Sequence, residues 1–233
     1  MNRATLESLL ALRAAKQPAV LVTDLATGAQ ALVRAEDDSA PPPFPAELVP
    51  AVREALGDDA SRVAELGGRR LFLHAFNPPL RMIVVGAVHI AQALAPMAGL
   101  AGYEVAVVDP RRSFASDARF PNTTVIAEWP DEAMARLAPD RRTAVVTLTH
   151  DPKLDDPALE SALKSESFYI AALGSKRTHE KRLARLRERG FDDAALGRIH
   201  GPAGLDLGAV SPAEIAISIV AQATGVLRGD GPA

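Results

Sequence analysis

A short apolar run, Arg81 to Val85, leads into Gly86-Ala87-Val88-His89-Ile90-Ala91. A second apolar run, Tyr103 to Val108, ends at Asp109, 23 residues beyond Gly86. Strand, glycine turn, helix, strand and acid at this spacing describe a dinucleotide-binding βαβ unit. In such a unit the first glycine makes the tight turn and the second lets a pyrophosphate approach the backbone. The third allows close helix–strand packing. Gly86 fills the first role and Ala91 serves for the third, but Val88 stands where the second glycine is expected. A β-branched side chain there opposes a pyrophosphate, so an ordinary α/β core turn and a working nucleotide site both stay open.

The rest of the chain extends this pattern. Strands are expected at 124–126, 143–148 and 168–173, with helices at 130–137, 157–164 (opened by Asp156) and 176–189, the last ended by Gly190. Ser211, Pro212 and Glu214 form a capping-box signature for a final helix. Such alternation predicts a Rossmann-like three-layer α/β domain with a mostly parallel sheet. Before it, a helix at 4–16, a hairpin at 19–33, an acidic proline-rich loop at 35–46, a short helix at 47–55 and a strand at 70–76 make a small α+β module. Asn77-Pro78-Pro79 marks the expected boundary, giving domains 1–78 and 79–233.

Composition narrows the chemistry. The chain has no cysteine, which excludes thiolate zinc sites, thiol nucleophiles and a persulfide carried on this chain. A net charge of −3 gives no bulk attraction to nucleic acid. No apolar stretch reaches the length of a membrane span and no secretory signal is evident, so a cytoplasmic protein is expected. Serine-elbow, HExxH and P-loop lysine motifs are absent, no metal-ligand spacing is seen and no catalytic residue is assigned.

Candidate ligand residues fall on loops that follow strands. Asp109 either holds a ribose or pairs with Arg111 or Arg112; those arginines also suit a phosphate. His89, in the first turn after the glycine, either packs on backbone or donates to a ligand. Thr149-His150-Asp151 closes the strand at 143–148, where open sheets bind ligands. Asp155 and Asp156 read as a solvated, helix-capping pair. Gly174-Ser175-Lys176-Arg177 follows another strand and opens a helix, a setting for an anion. From Lys176 to Arg189, seven basic side chains face two acidic ones, which suits a phosphate or an acidic partner as well as a solvated face. The breaker-rich loop His200 to Gly208, with Gly201 and Gly204, reads as lining or supporting a site.

Ordered along the chain, GAVHIAQAL (86–94), VVDPRRSFA (107–115), RFP (119–121), LTHDPKLDDPAL (148–159), YIAALGSKRTHEKRL (169–183), RIHGPAGLDLGA (198–209) and SPAEIAISI (211–219) resemble the XdhC/CoxI family. These are accessory proteins for xanthine dehydrogenase and related molybdenum hydroxylases. The resemblance covers about residues 76–227 and implies a Rossmann-type C-terminal domain joined to a smaller N-terminal one. It implies a chaperone, not a catalyst, that binds molybdenum cofactor, protects it, assists its sulfuration and hands it to an apo-hydroxylase. It also implies ligand roles for Gly86, His89, Asp109, the 149–151 loop, Gly174 to Arg177 and the loop Gly201 to Gly208. Val88 and Ala171 depart from the family's glycines, and the first 78 residues lack its glycine-rich and cysteine-containing segments. Sulfur transfer then falls to a separate sulfurtransferase, and the N-terminal part to docking or to a homodimer. An NAD(P)-dependent oxidoreductase, disfavoured by Val88, and a ligand-free scaffold that docks the hydroxylase are the alternatives.

Overall fold

A computed structural model describes residues 2–229. The chain divides into two compact units, Met1–Pro78 and Pro79–Ala233. The first contains α1 (Arg3–Ala14), β1 (Ala19–Asp24), β2 (Gln30–Arg34), α2 (Leu48–Gly57), β3 (Arg62–Leu66) and β4 (Arg69–Phe76). Its antiparallel sheet has the order β2-β1-β4-β3. Alternate residues Val20, Val22, Leu71 and Leu73 point to one face and bury against Leu48, Val49 and Val52 of α2. The hairpin turn is closed by the buried Asp24 side chain, which accepts from the backbone N–H groups of Ala26 and Thr27. Strand β3, absent from the sequence expectation, is short and only half buried, so its apolar signal is weak.

The second unit contains β5 (Leu80–Val85), α3 (His89–Leu100), β6 (Tyr103–Val108), β7 (Thr124–Ile126), α4 (Pro130–Leu137), β8 (Thr143–Thr147), α5 (Pro152–Lys164), β9 (Tyr169–Ala172), α6 (Lys176–Glu188), α7 (Asp193–Leu196), β10 (Ile199–His200) and α8 (Pro212–Arg228). The six strands form a parallel sheet in the order β10-β9-β8-β5-β6-β7. This is the doubly wound order, in which strand succession reverses between β5 and β8. The central strands are buried on both faces, as helices on both sides require. Met82, Val84, Val146 and Ala171 pack with Leu94, Ala98 and Ile219 of α3 and α8. Ile83, Val85, Val145 and Ile170 pack with Met134, Leu159 and Leu186 of α4, α5 and α6. The predicted three-layer α/β fold is the one observed, and the capping box of Ser211 and Glu214 is present.

Two local expectations are corrected. Helix α5 starts at Pro152 with Asp151 as its cap, several residues before Asp156, because proline suits the first turn and Asp151 receives the Lys153 N–H. Asp155 and Asp156 are not a solvated pair. They are 1% and 0% exposed, on the inner face of α5. Asp156 takes a two-pronged contact from Arg185 at 2.7 and 2.8 Å. Strand β10 and α7 also escaped the sequence reading; both are too short to carry a period.

Candidate functional site

The parallel sheet puts the candidate loops at one edge. The loops after β5, β6, β8, β9 and β10 begin at Gly86, Asp109, Leu148, Leu173 and Gly201, beyond the carboxyl ends of their strands. Gly86 has φ +108 and its Cα lies so close to Thr149 that an added Cβ would overlap Thr149 Cγ2. Only glycine combines that backbone with that approach. A Cβ on Gly174 would stand 3.6 Å from His150 Nδ1. Gly86, Thr149, His150 and Gly174 are therefore neighbours across the switch point, although 88 residues of chain separate the first from the last.

Buried charge holds this junction. Asp155 accepts from Thr149 Oγ1 at 2.7 Å, from Thr149 N at 3.3 Å and from His150 N at 3.0 Å. His150 is thereby held at φ +62 with its side chain exposed. Arg182 of α6, 1% exposed, lies 3.7 Å from Asp155 and donates to Leu173 O at 2.8 Å. Its Nε and Nη1 meet no acceptor among the described residues. Burial raises the Asp155 carboxyl above its ordinary range and lowers the Arg182 guanidinium, so desolvation outweighs their attraction in both groups. Asp151 faces away from His150 in function: it caps α5.

Asp109 is fully buried. Its Oδ2 accepts from Ala87 N at 2.8 Å and Arg111 Nη2 at 2.7 Å, and its Oδ1 from Arg111 N at 3.0 Å and Nε at 2.8 Å. Burial pushes the carboxyl up, but the Arg111 fork and the two backbone N–H groups bring it below the ordinary carboxylate range. Between the two pairing partners the sequence left open, the structure selects Arg111; Arg112 is exposed. Arg119 donates to Ala87 O at 2.8 Å, to Phe114 O at 2.9 Å and to Gln92 at 3.0 Å, so the 110–120 loop is tied to the glycine turn.

Val88 is the N-cap of α3, half buried, with its side chain packed on the core and no side-chain hydrogen bond to the first turn. Helices α5, α6 and α8 are instead capped by Asp151, Ser175 and Ser211. His89 is exposed beside the uncapped turn, while Lys176 and Arg177 are exposed at the start of α6. The basic stretch is largely spent on ion pairs, with Arg185 to Asp156, Arg187 to Asp193 and Arg189 to Glu160. After β10, Gly201 packs against the His179 imidazole, and Gly204 N donates to Gln222 at 2.9 Å. Among the described residues no group of three His, Asp or Glu side chains is placed to hold a metal ion, and no helix is long and apolar enough to cross a membrane.

The sequence reading missed Asp155, Arg182 and Arg119 as structural members of this edge. One signal was available for Arg182. It lies four residues before Leu186, on the buried stripe of its helix.

The profile of the XdhC Rossmann domain matches residues 82–223, more than half of the chain. The chain belongs to the XdhC family. It is 31% identical over 151 residues to the molybdenum cofactor insertion chaperone PaoD of Escherichia coli K12, covering 65% of this chain and 41% of that protein. It is 30% identical over 169 residues to the E. coli protein YqeB, covering 72% of this chain and 30% of the relative. The chain thus spans less than half the length of these curated relatives. A crystal structure of a xanthine dehydrogenase from Bacillus halodurans superimposes with a TM-score of 0.72 at 25% identity, covering 99% of this chain and 66% of that one.

Proposed function

We propose that this XdhC-family chain is a cytoplasmic accessory protein of a molybdenum hydroxylase, which binds molybdenum cofactor on the carboxyl edge of its parallel sheet and passes it to the apo-enzyme. The observation that carries this reading is the contact of Gly86, Thr149, His150 and Gly174 across neighbouring strand ends, beside the uncapped start of α3. The insertion-chaperone role of PaoD supports it by relationship.

The residues present suit the group. Molybdopterin ends in a phosphate, and the first-turn N–H groups of α3 have neither an intrahelical partner nor a side-chain cap. Arg112 on the loop after β6, and Lys176 and Arg177 in the first turn of α6, supply exposed positive charge. When bound, the cofactor brings its own metal on a dithiolene, so no protein ligand set is required. In this reading His89 and His150 orient the ligand, Ser175 and the Gly201–Gly204 loop line it, and Asp109, Arg111, Thr149 and Asp151 shape the loops around it. With no cysteine in the chain, sulfuration is the work of a separate sulfurtransferase, and a homodimer shelters the labile end.

Anaerobic titration with molybdopterin, with and without a cytidine nucleotide, followed by transfer to apo-hydroxylase, tests the proposal. Saturable binding and transfer are expected, weakened in Arg177→Ala and His89→Ala. Absence of both binding and transfer overturns it.

A further inference from the structure

We propose that Arg111 is a resident occupant of the ribose subsite and the residue that turns this Rossmann edge away from nicotinamide dinucleotides. The inference rests on the geometry around Asp109 and not on the molybdenum-cofactor reading. In a dinucleotide fold, the acid at the end of the second strand receives the adenosine ribose hydroxyls. That requires carboxylate oxygens open to the sheet edge. Here Asp109 is 0% exposed and each of its oxygens already accepts two hydrogen bonds.

The Arg111 fork offers two N–H groups in parallel, as a ribose diol would offer two O–H groups, but it carries a full charge. The carboxylate is an ionised acceptor for either donor, but only the fork adds the opposite charge, and it is tethered two residues from Asp109, so a neutral diol arriving from solution does not displace it. The fork is also held from outside. The Arg111 guanidinium lies 4.4 Å from the centre of the Phe114 ring, and Arg119 stacks at 5.4 Å from the same ring while tying Ala87 O to the loop. Ala87 N, which borders the phosphate turn, is itself spent on Asp109. The loop, the acid and the turn therefore form one closed unit. A ligand of this edge is held by its phosphate and not by an adenosine ribose on Asp109.

Arg111 is accessible enough for the test, since its side chain is 41% exposed and water can reach the space it leaves. Fluorescence titration with NADH, repeated calorimetrically with ADP-ribose, is run on the full chain. The wild type is expected to bind each ligand only weakly. Arg111→Ala is expected to bind both at least about tenfold more tightly. Adding Asp109→Asn to Arg111→Ala is expected to remove most of that gain, because the amide keeps one neutral accepting oxygen where the carboxylate offers a charged pair to the two ribose hydroxyls. Arg111→Lys, which keeps the charge without the fork, is expected to fall between, and it carries the comparison if circular dichroism shows Arg111→Ala to be unfolded. Wild-type binding of NADH as tight as that of the variants, no gain in either variant, or a gain that survives Asp109→Asn undiminished overturns the proposal. Molybdopterin is titrated in parallel: a gain for NADH without any molybdopterin binding refutes the proposed function alone, and the converse refutes the role of Arg111 alone.

Discussion

The Arg182–Asp155 pair yields the sharpest stability test. Both side chains are buried and their nearest atoms are 3.7 Å apart, too far for a good hydrogen bond. Breaking a buried pair from one side costs roughly 3–5 kcal/mol, because the remaining charge is left without its counter-ion. The two sides differ here. After Arg182→Met, Asp155 keeps three donors from Thr149 and His150, so the loss is expected near the lower end, about 3 kcal/mol. After Asp155→Asn, the Arg182 cation retains one hydrogen-bonded acceptor, Leu173 O, and the more distant Asp156 charge, and the 149–150 turn loses an anionic acceptor, so the loss is expected nearer about 5 kcal/mol. The double variant removes both charges and is expected to be more stable than the sum of the single losses implies, with a coupling of about 1–3 kcal/mol. Urea unfolding followed through Trp129, the single tryptophan, reports on the unit that holds the pair. A loss below about 1 kcal/mol in Arg182→Met, or strict additivity, refutes the account of a buried pair bracing the loops.

Three further outcomes are expected. Gly86→Ala forces an L-residue to φ +108 and pushes its Cβ into Thr149, which destabilises the chain by at least about 2 kcal/mol. Thr149→Ser should recover part of that loss, because it removes the obstructing methyl and keeps the hydroxyl that Asp155 accepts; a neutral Gly86→Ala in the same urea assay contradicts this. Tyr169→Phe removes the 2.6 Å hydrogen bond to Gln222, whose oxygen keeps Gly204 N; thermal and urea unfolding should register about 1–1.5 kcal/mol, and a change within error speaks against it. Burial holds His179 and His200 below the ordinary histidine value, with the Arg182 charge adding to the effect on His179. The folded state then binds fewer protons than the unfolded one below pH about 6.5, so stability is complete above that pH and is lost as the pH falls toward the lowered values. Asp155, raised by burial, works in the opposite sense, contributing stability as the pH falls through its raised value. The urea midpoint should drop between pH 7 and 5, and a His179→Asn, His200→Phe variant should flatten that drop; an equal slope in both proteins rejects the assignment.

Much of the frame was legible from periodicity and punctuation. The runs at 82–85, 105–108 and 144–146 are apolar on both faces, which identifies interior parallel strands before any contact is known. Gly86, Gly174 and Ser211 stand where the chain must turn or begin a helix, and those demands are local. The same locality explains the misses. Asp155 and Asp156 look like solvated acids because an acidic pair directly before Pro157 reads as the start of a helix; only the approach of α6 brings Arg182 and Arg185 to neutralise them. A sum of charges along α6 suggests a free basic face, yet Arg185, Arg187 and Arg189 are paired with acids outside the helix.

Val88 and Asp109 divide the two kinds of information most clearly. Sequence alone determined that the turn lacks its second glycine and that an acid ends the next strand, because both follow from residue identity and spacing. Whether that acid faces a ligand was decided by tertiary structure. The loop after Asp109 folds back, its Arg111 outcompetes water for a carboxylate already drawn inward by Ala87 N, and burial makes that charge-assisted pairing strong. Residue order named the groups; the enclosure of a carboxylate among its donors settled which of them were left for anything else.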